Sequence, residues 1–177
     1  WANVTGTDGA GLLSDSFAVH ISGDETAPAS ACDVSGAYWR SSAPLTIAAT
    51  ASDSQSGVAQ VQLWYAYSAD NGTFNAYKLY GNDTTAPYSW SFDFPDGNGH
   101  YRFYSQAIDA VGNPEAAPAS PDVSHAYDNI APSAACDVAG AYWCASAPLA
   151  ISASALDNTS GVAAVSLYFQ YSADNGT

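Results

Sequence analysis

The chain has 177 residues, of which 17 are Asp or Glu and only 3 are Lys or Arg, for a formal net charge of −14. A surface this acidic repels phosphate backbones, so nucleic-acid binding is excluded, while solubility and an attraction for cations follow. Apolar residues make up 47% of the chain and aromatics 13%, which is enough for a packed core and rules out a disordered tail. Lys78 is the sole lysine, so neither lysine-based catalysis nor a Lys–Asn isopeptide crosslink can recur along the chain. There is no initiator Met, no signal-peptide pattern and no apolar run long enough to span a bilayer.

In chain order, residues 1–8 followed by Gly9-Ala10-Gly11 read like residues 101–109 followed by Ala110-Val111-Gly112. The start of the chain is therefore expected to be the tail of an earlier copy of something repeated. The repeat itself has a period of 104, since Cys136 follows Cys32 and Gly161 follows Gly57 by that interval (136 − 32 = 161 − 57 = 104). Of the 50 positions in 24–73, 32 are identical in 128–177, including Gly36-Ala37-Tyr38-Trp39 and residues 67–73. A period near one domain length signals whole modules in tandem rather than a solenoid. The expected organisation is 1–23 as the last strands of one module, 24–127 as a complete module, and 128–177 as the first part of a third, in a window on a longer polypeptide.

Within the complete module the signal is strand throughout. Residues 45–51 alternate apolar and small polar side chains, and Val61, Leu63, Tyr65 and Tyr67 fall on one face while Gln60, Gln62 and Ala66 fall on the other. Val165, Leu167, Phe169 and Tyr171 keep the same parity one repeat later. Tyr88, Trp90, Phe92 and Phe94 continue the period of two, and Ser56-Gly57, Asp70-Asn71-Gly72, 95–99 and 111–114 punctuate it with turns. Strands are predicted at 31–36, 45–52, 58–67, 74–80, 87–94, 101–108 and 116–125. Seven short strands in about 100 residues predict an all-β, two-sheet immunoglobulin-like sandwich, repeated in an extended array. Tyr101 after Gly99-His100 suits a tyrosine corner or else a plain core position.

The linker Asp24-Glu25-Thr26-Ala27-Pro28, the pair Tyr38-Trp39, Asp53 shortly before Ser56-Gly57-Val58, and Gly99-His100-Tyr101 leading to Asp109-Ala110-Val111-Gly112-Asn113 together resemble the tandem bacterial and archaeal immunoglobulin-like repeats of giant cell-surface proteins. The resemblance covers the whole chain. It implies an extracellular, cell-surface location and leaves the task open, because the same module serves in surface layers, adhesins, fibres and spacers of secreted enzymes.

Cys136 and Cys144 lie eight residues apart around Ala139-Gly140-Ala141, close enough for a hairpin to bring them into disulfide range, and a bond between them is expected. Arg40 stands in the first copy where Cys144 stands in the next, so Cys32 is either a lone thiol or an intermolecular partner. The cysteines and the scattered His20, His100 and His125 supply no zinc ligand set. Sequons begin at Asn3, Asn71, Asn82, Asn158 and Asn175. Asn71 and Asn175 occupy the same turn in successive copies, which reads either as a glycan site or as a simple Asn-Gly turn.

In such a sandwich Asp24, Asp53 and Asp109 should meet at one pole, with Asp128 and Asp157 their counterparts in the next copy. Hard oxygen ligands from separate loops are what Ca²⁺ requires, and the alternative is that each Asp merely starts a turn. No triad can be assembled, so catalysis is not expected. Trp64, Tyr104 and Tyr168 fall on the outward parity, where aromatics stack on sugars or pack against a neighbouring chain. The reading is a structural segment of a stalk, fibre, surface-layer element or filament whose partners are copies of itself or other surface components. Its alternatives are a glycan- or surface-binding adhesin, or the spacer of a secreted hydrolase.

Overall fold

The computed structural model describes residues 2–12, 17–19, 22–138 and 143–173, with backbone alone for 2–4 and 17–19. Alternation decides the central module. In Leu45–Ser52 (β5) the side chains of Leu45, Ile47 and Ala49 are buried and their neighbours exposed, and Tyr88–Phe92 (β8) repeats this with Tyr88, Trp90 and Phe92. Both pair antiparallel, and Ala29–Asp33 (β3) joins β5 on its other edge to give a three-stranded sheet of order β3-β5-β8. The facing sheet has order β4-β10-β9-β6-β7, formed by Trp39–Arg40 (β4), Val58–Ser68 (β6), Lys78–Asp83 (β7), Gly99–Asp109 (β9) and Val123–Tyr127 (β10).

The apolar parities of the two sheets meet in one core. Leu45, Ile47, Trp90 and Phe92 come from one side, and Val61, Leu63, Tyr65, Tyr101 and Phe103 from the other. Each such side chain contributes about 1.5–3 kcal/mol on burial. Phe92 sits at the centre, with edge-on rings of Tyr65, Phe94, Tyr101 and Phe103 at 5.1, 5.4, 5.4 and 4.9 Å, the geometry that ring quadrupoles prefer. Tyr101 is fully buried, and its hydroxyl donates to the Gly97 carbonyl at 2.7 Å, which is the tyrosine corner. Gly99 beside it has φ +143°, and a Cβ there would lie 2.7 Å from the Ser68 carbonyl oxygen, so no other residue fits.

Most strand ends shift by a few residues from the sequence reading, the first from 31–36 to Ala29–Asp33, and three differences are larger. The predicted strand at 116–125 begins only at Val123, because Pro114, Pro118 and Pro121 lack the N–H a ladder needs. The predicted strand at 74–80 is displaced to Lys78–Asp83, since the preceding residues fold over the outer sheet face, placing Phe74 against Arg102 at 3.8 Å and Tyr77 against Tyr104 at 4.6 Å. An eighth strand, β4, pairs parallel with β10; two residues are too few to show a period.

On either side of this module, Ala2–Val4 (β1) pairs with Phe17–Val19 (β2), and Ser133–Val138 (β11) pairs with Ile151–Leu156 (β12). The β11–β12 pairing of Cys136 with Ala153 reproduces that of Cys32 with Ala49 in the central module, shifted by one repeat.

Candidate functional site

Asp24 precedes β3, Asp53 follows β5 and Asp109 ends β9, so three separate loops deliver carboxylates to one pole of the sandwich. One oxygen from each lies within 4.8 Å of the others. Each carboxylate is first a turn-former. Asp24 accepts from the N–H of Thr26 at 2.9 Å and of Ser56 at 3.0 Å, one on each oxygen. Asp53 Oδ1 accepts from Gln55 and Gly57. Asp109 Oδ1 accepts from Val111, Gly112 and Asn113, and its Oδ2 accepts from the Asn113 amide, which also reaches the Asp24 carbonyl at 3.1 Å. The turn interpretation of these residues is thus correct as far as it goes.

It does not use all of their oxygens. Asp53 Oδ2 is buried and has no hydrogen-bond partner among the described residues. A carboxylate oxygen offers about two acceptor directions, so Asp53 Oδ2, Asp109 Oδ2 and both Asp24 oxygens keep capacity after the turns are made. That donor set, all hard oxygen and drawn from three loops, fits a calcium-sized cation. Ser56 and Thr26 hold the Asp24 carboxyl below its usual range despite the nearby Asp109 charge. At Asp109 burial pushes the carboxyl up, but the donors from Asn113, Gly112 and Val111 outweigh it and leave it low. Asp24 and Asp109 therefore both favour the charged form near neutrality.

Asp128 and Asp157 repeat the local pattern 104 residues on. Asp128 accepts from Ile130 and Ser160, and Asp157 from Thr159, Ser160 and Gly161. Asp128 has a further partner, because the Asn98 amide donates to its Oδ1 at 3.3 Å while Asn98 Oδ1 accepts from the N–H of Asn129. Near the start of the chain, Asp8 accepts from Ala10 and Leu12 as Asp109 does from Val111 and Asn113.

Cys32 is buried in the core at 4% exposure, and burial followed by the Asp122 charge pushes its thiol up, which removes it from intermolecular bonding. Cys136 and Cys144 are both exposed and the structure does not join them to each other; residues 139–142, whose turn sets their separation, lie outside the described residues. Asn71, Asn82 and Asn158 are exposed, and Asn71 has φ 60° in its turn. Asn3 lies on β1 without a described side chain, and Asn175 lies outside the described residues. Trp64 is half-buried and stacks on Tyr104 at 6.1 Å, whereas Tyr104 is buried by Tyr77 from its own chain; Tyr168 is 90% exposed.

Two residues were not singled out from sequence. Glu115 accepts from the N–H and hydroxyl of Ser30 and the N–H of Ala107, and Asp122 from the N–H groups of Cys32 and Ser105. Their carboxylates join edge strand β3 to β9 where no strand intervenes.

Residues 26–104, the larger part of this module, match the family of bacterial Ig domains. The central module is a bacterial immunoglobulin-like domain. No curated protein and no solved structure gives a significant match to the chain. Bacterial immunoglobulin-like domains are typically extracellular or surface-exposed modules of structural or adhesion type and are generally non-catalytic. Among the described residues no helix is long and apolar enough to cross a membrane.

Proposed function

We propose that this chain is a mechanical segment of a tandem immunoglobulin-like array at the cell surface, serving as a stalk, fibre, surface-layer element or filament. The observation that carries the reading is Asp128. Its carboxylate accepts from Asn98 in the turn before β9 and from Ser160 in the loop after β12. The passage from one repeat to the next is hydrogen-bonded rather than a bare linker, and Pro132 follows close behind with its fixed φ. Such a joint resists bending, which is the property a stalk requires. Ca²⁺ held by Asp24, Asp53 and Asp109 belongs to the same reading, since a cation shared by three loops locks the pole that faces the preceding repeat.

Electron microscopy of concatenated copies of residues 24–127 tests it. The expected images are unbranched rods that lengthen with each added copy; compact particles would sink the proposal. A second reading, adhesion, is favoured by one observation, an aromatic face free of acidic residues on the outer side of β6 and β9.

A further inference from the structure

We infer that the outer face of β6, β7 and β9 is a binding surface for a neutral polysaccharide, an inference that rests on the adhesion reading and gives it a site and a ligand class. Strand register sets out the chemistry in rows. Trp64 stands opposite Tyr104 on one side and Leu79 on the other, and the next outward row places Gln62 between Gln106 and Asn82. An aromatic row therefore runs beside an amide row, two residues or about 6.6 Å along the strands. The Trp64 and Tyr104 rings are near parallel at 12°, and Tyr77 packs edge-on against Tyr104, which is 7% exposed, so the accessible rings of the face are those of Trp64 and Tyr77.

The amides are oriented rather than loose. Trp64 Nε1 donates to Gln62 Oε1 at 3.3 Å, which leaves the Gln62 N–H groups for a ligand, and Gln106 Nε2 donates to the Glu115 carbonyl, which leaves its Oε1. Paired donors and acceptors beside apolar ring surface match a sugar, whose hydroxyls need both roles and whose C–H faces need a flat apolar partner.

Charge narrows the ligand further. The chain has 17 acidic residues, yet none occupies an outward position of β6 from Gln60 to Ser68 or of β9 from Arg102 to Ile108. Arg102 is the one charge there, half-buried with its guanidinium 3.8 Å from the Phe74 ring. A cation finds no ligand on this face, and an anionic polymer finds a single covered Arg within a chain of net charge −14. A neutral polyhydroxy polymer meets none of these objections. Tyr168 stands one repeat beyond Trp64, so an array carries an aromatic at this position in successive copies and would bind multivalently.

The test is affinity electrophoresis of the 177-residue chain through native gels containing galactomannan, mixed-linkage β-glucan or xylan, with pull-down on cellulose and chitin. The expected result is retention by at least one of these polymers that survives about 0.5 M NaCl, where charge effects are screened. Trp64→Ala should weaken it roughly tenfold or more and Gln62→Glu comparably, while Trp64→Phe retains most of it. Unchanged melting of each variant assigns the loss to the face rather than to unfolding. No retention by any polymer, retention abolished by salt, or retention indifferent to Trp64→Ala would overturn the inference. So would a dimer in sedimentation that Trp64→Ala dissociates, which gives the face to a second copy. None of these failures affects whether concatenated copies form rods.

Discussion

Asp24 and Asp128 are the same residue in successive repeats, and the chain shows each from a different side: the counterpart of Asn98 before Asp24 would fall at 98 − 104 = −6 and that of Asp109 after Asp128 at 109 + 104 = 213, both outside its 177 residues. Both form an Asx turn with the residue two positions on, and both accept the N–H of a Ser 32 positions on, Ser56 or Ser160. Beyond this shared pattern Asp24 is half-buried beside Asp53 and Asp109, whereas Asp128 is 7% exposed and holds Asn98. The turn is a local property copied with each repeat; the further contacts come from the residue's own module at Asp24, through Asp53 and Asp109, and from the preceding repeat at Asp128, through Asn98. One carboxylate position thus faces both the acidic pole of its own module and the turn of the preceding one.

The largest expected effect comes from removing what organises the pole. Asp109→Ala deprives three backbone N–H groups and the Asn113 amide of their acceptor, and should lower the melting temperature by roughly 10 °C or more. Gly99→Ala, at the opposite pole, should cost a similar amount because the added Cβ strikes the Ser68 carbonyl and the Tyr67 ring. Thermal unfolding followed by circular dichroism reads both. A melting point within about 2 °C of the parent for Asp109→Ala would show that the pole is not organised by this carboxylate.

Next in size is pH. Burial lowers His125, whose Nε2 has no hydrogen-bond partner among the described residues, and His100, whose Nδ1 is hydrogen-bonded to the Tyr38 hydroxyl at 2.9 Å. A folded-state value below the unfolded one means that the unfolded chain binds more protons, so this stability is complete above about pH 6.5 and falls as the solution is acidified toward the folded values. Asp24, Asp109 and Asp128 are also held low; their contribution is complete above about pH 4 and is lost below it. Two descending steps in melting temperature are expected, and His125→Phe should flatten the upper one. A parent chain equally stable at pH 7 and pH 5 would contradict the histidine step.

Much of the module was legible in the sequence because its faces alternate cleanly. Val61, Leu63 and Tyr65 are buried as their parity requires, and Asp24, Asp53 and Asp109 meet because strand ends in a sandwich must share poles. Glu115 and Asp122 were not legible, since nothing local in 114–122 distinguishes a carboxylate that bridges two sheets from one facing water. Tyr104 kept its outward parity but not its exposure, because Tyr77 arrives from a segment that alternation alone assigned to a strand.

Smaller effects separate the acidic pole, the core and the joint at Asp128. Removal of Ca²⁺ by chelation should lower the melting temperature by several degrees in the parent and by much less in Asp53→Asn; equal shifts in both would leave the turns standing without a cation. Cys32 should resist alkylation until the chain unfolds, given its burial and raised thiol. Rapid native modification at Cys32 would mean that β3 opens. Asn98→Ala should leave the melting temperature nearly unchanged while speeding hydrogen exchange at Asn129, whose N–H it releases.

Small-angle scattering of two, four and eight concatenated copies of residues 24–127 tests the central claim most directly. A stiff array predicts a radius of gyration that approximately doubles with each doubling of copy number, with the slope reduced by Asn98→Ala. A globule follows a power of about 0.38 in residue number, so each doubling would raise the radius only about 1.3-fold, and that result would contradict a mechanical array.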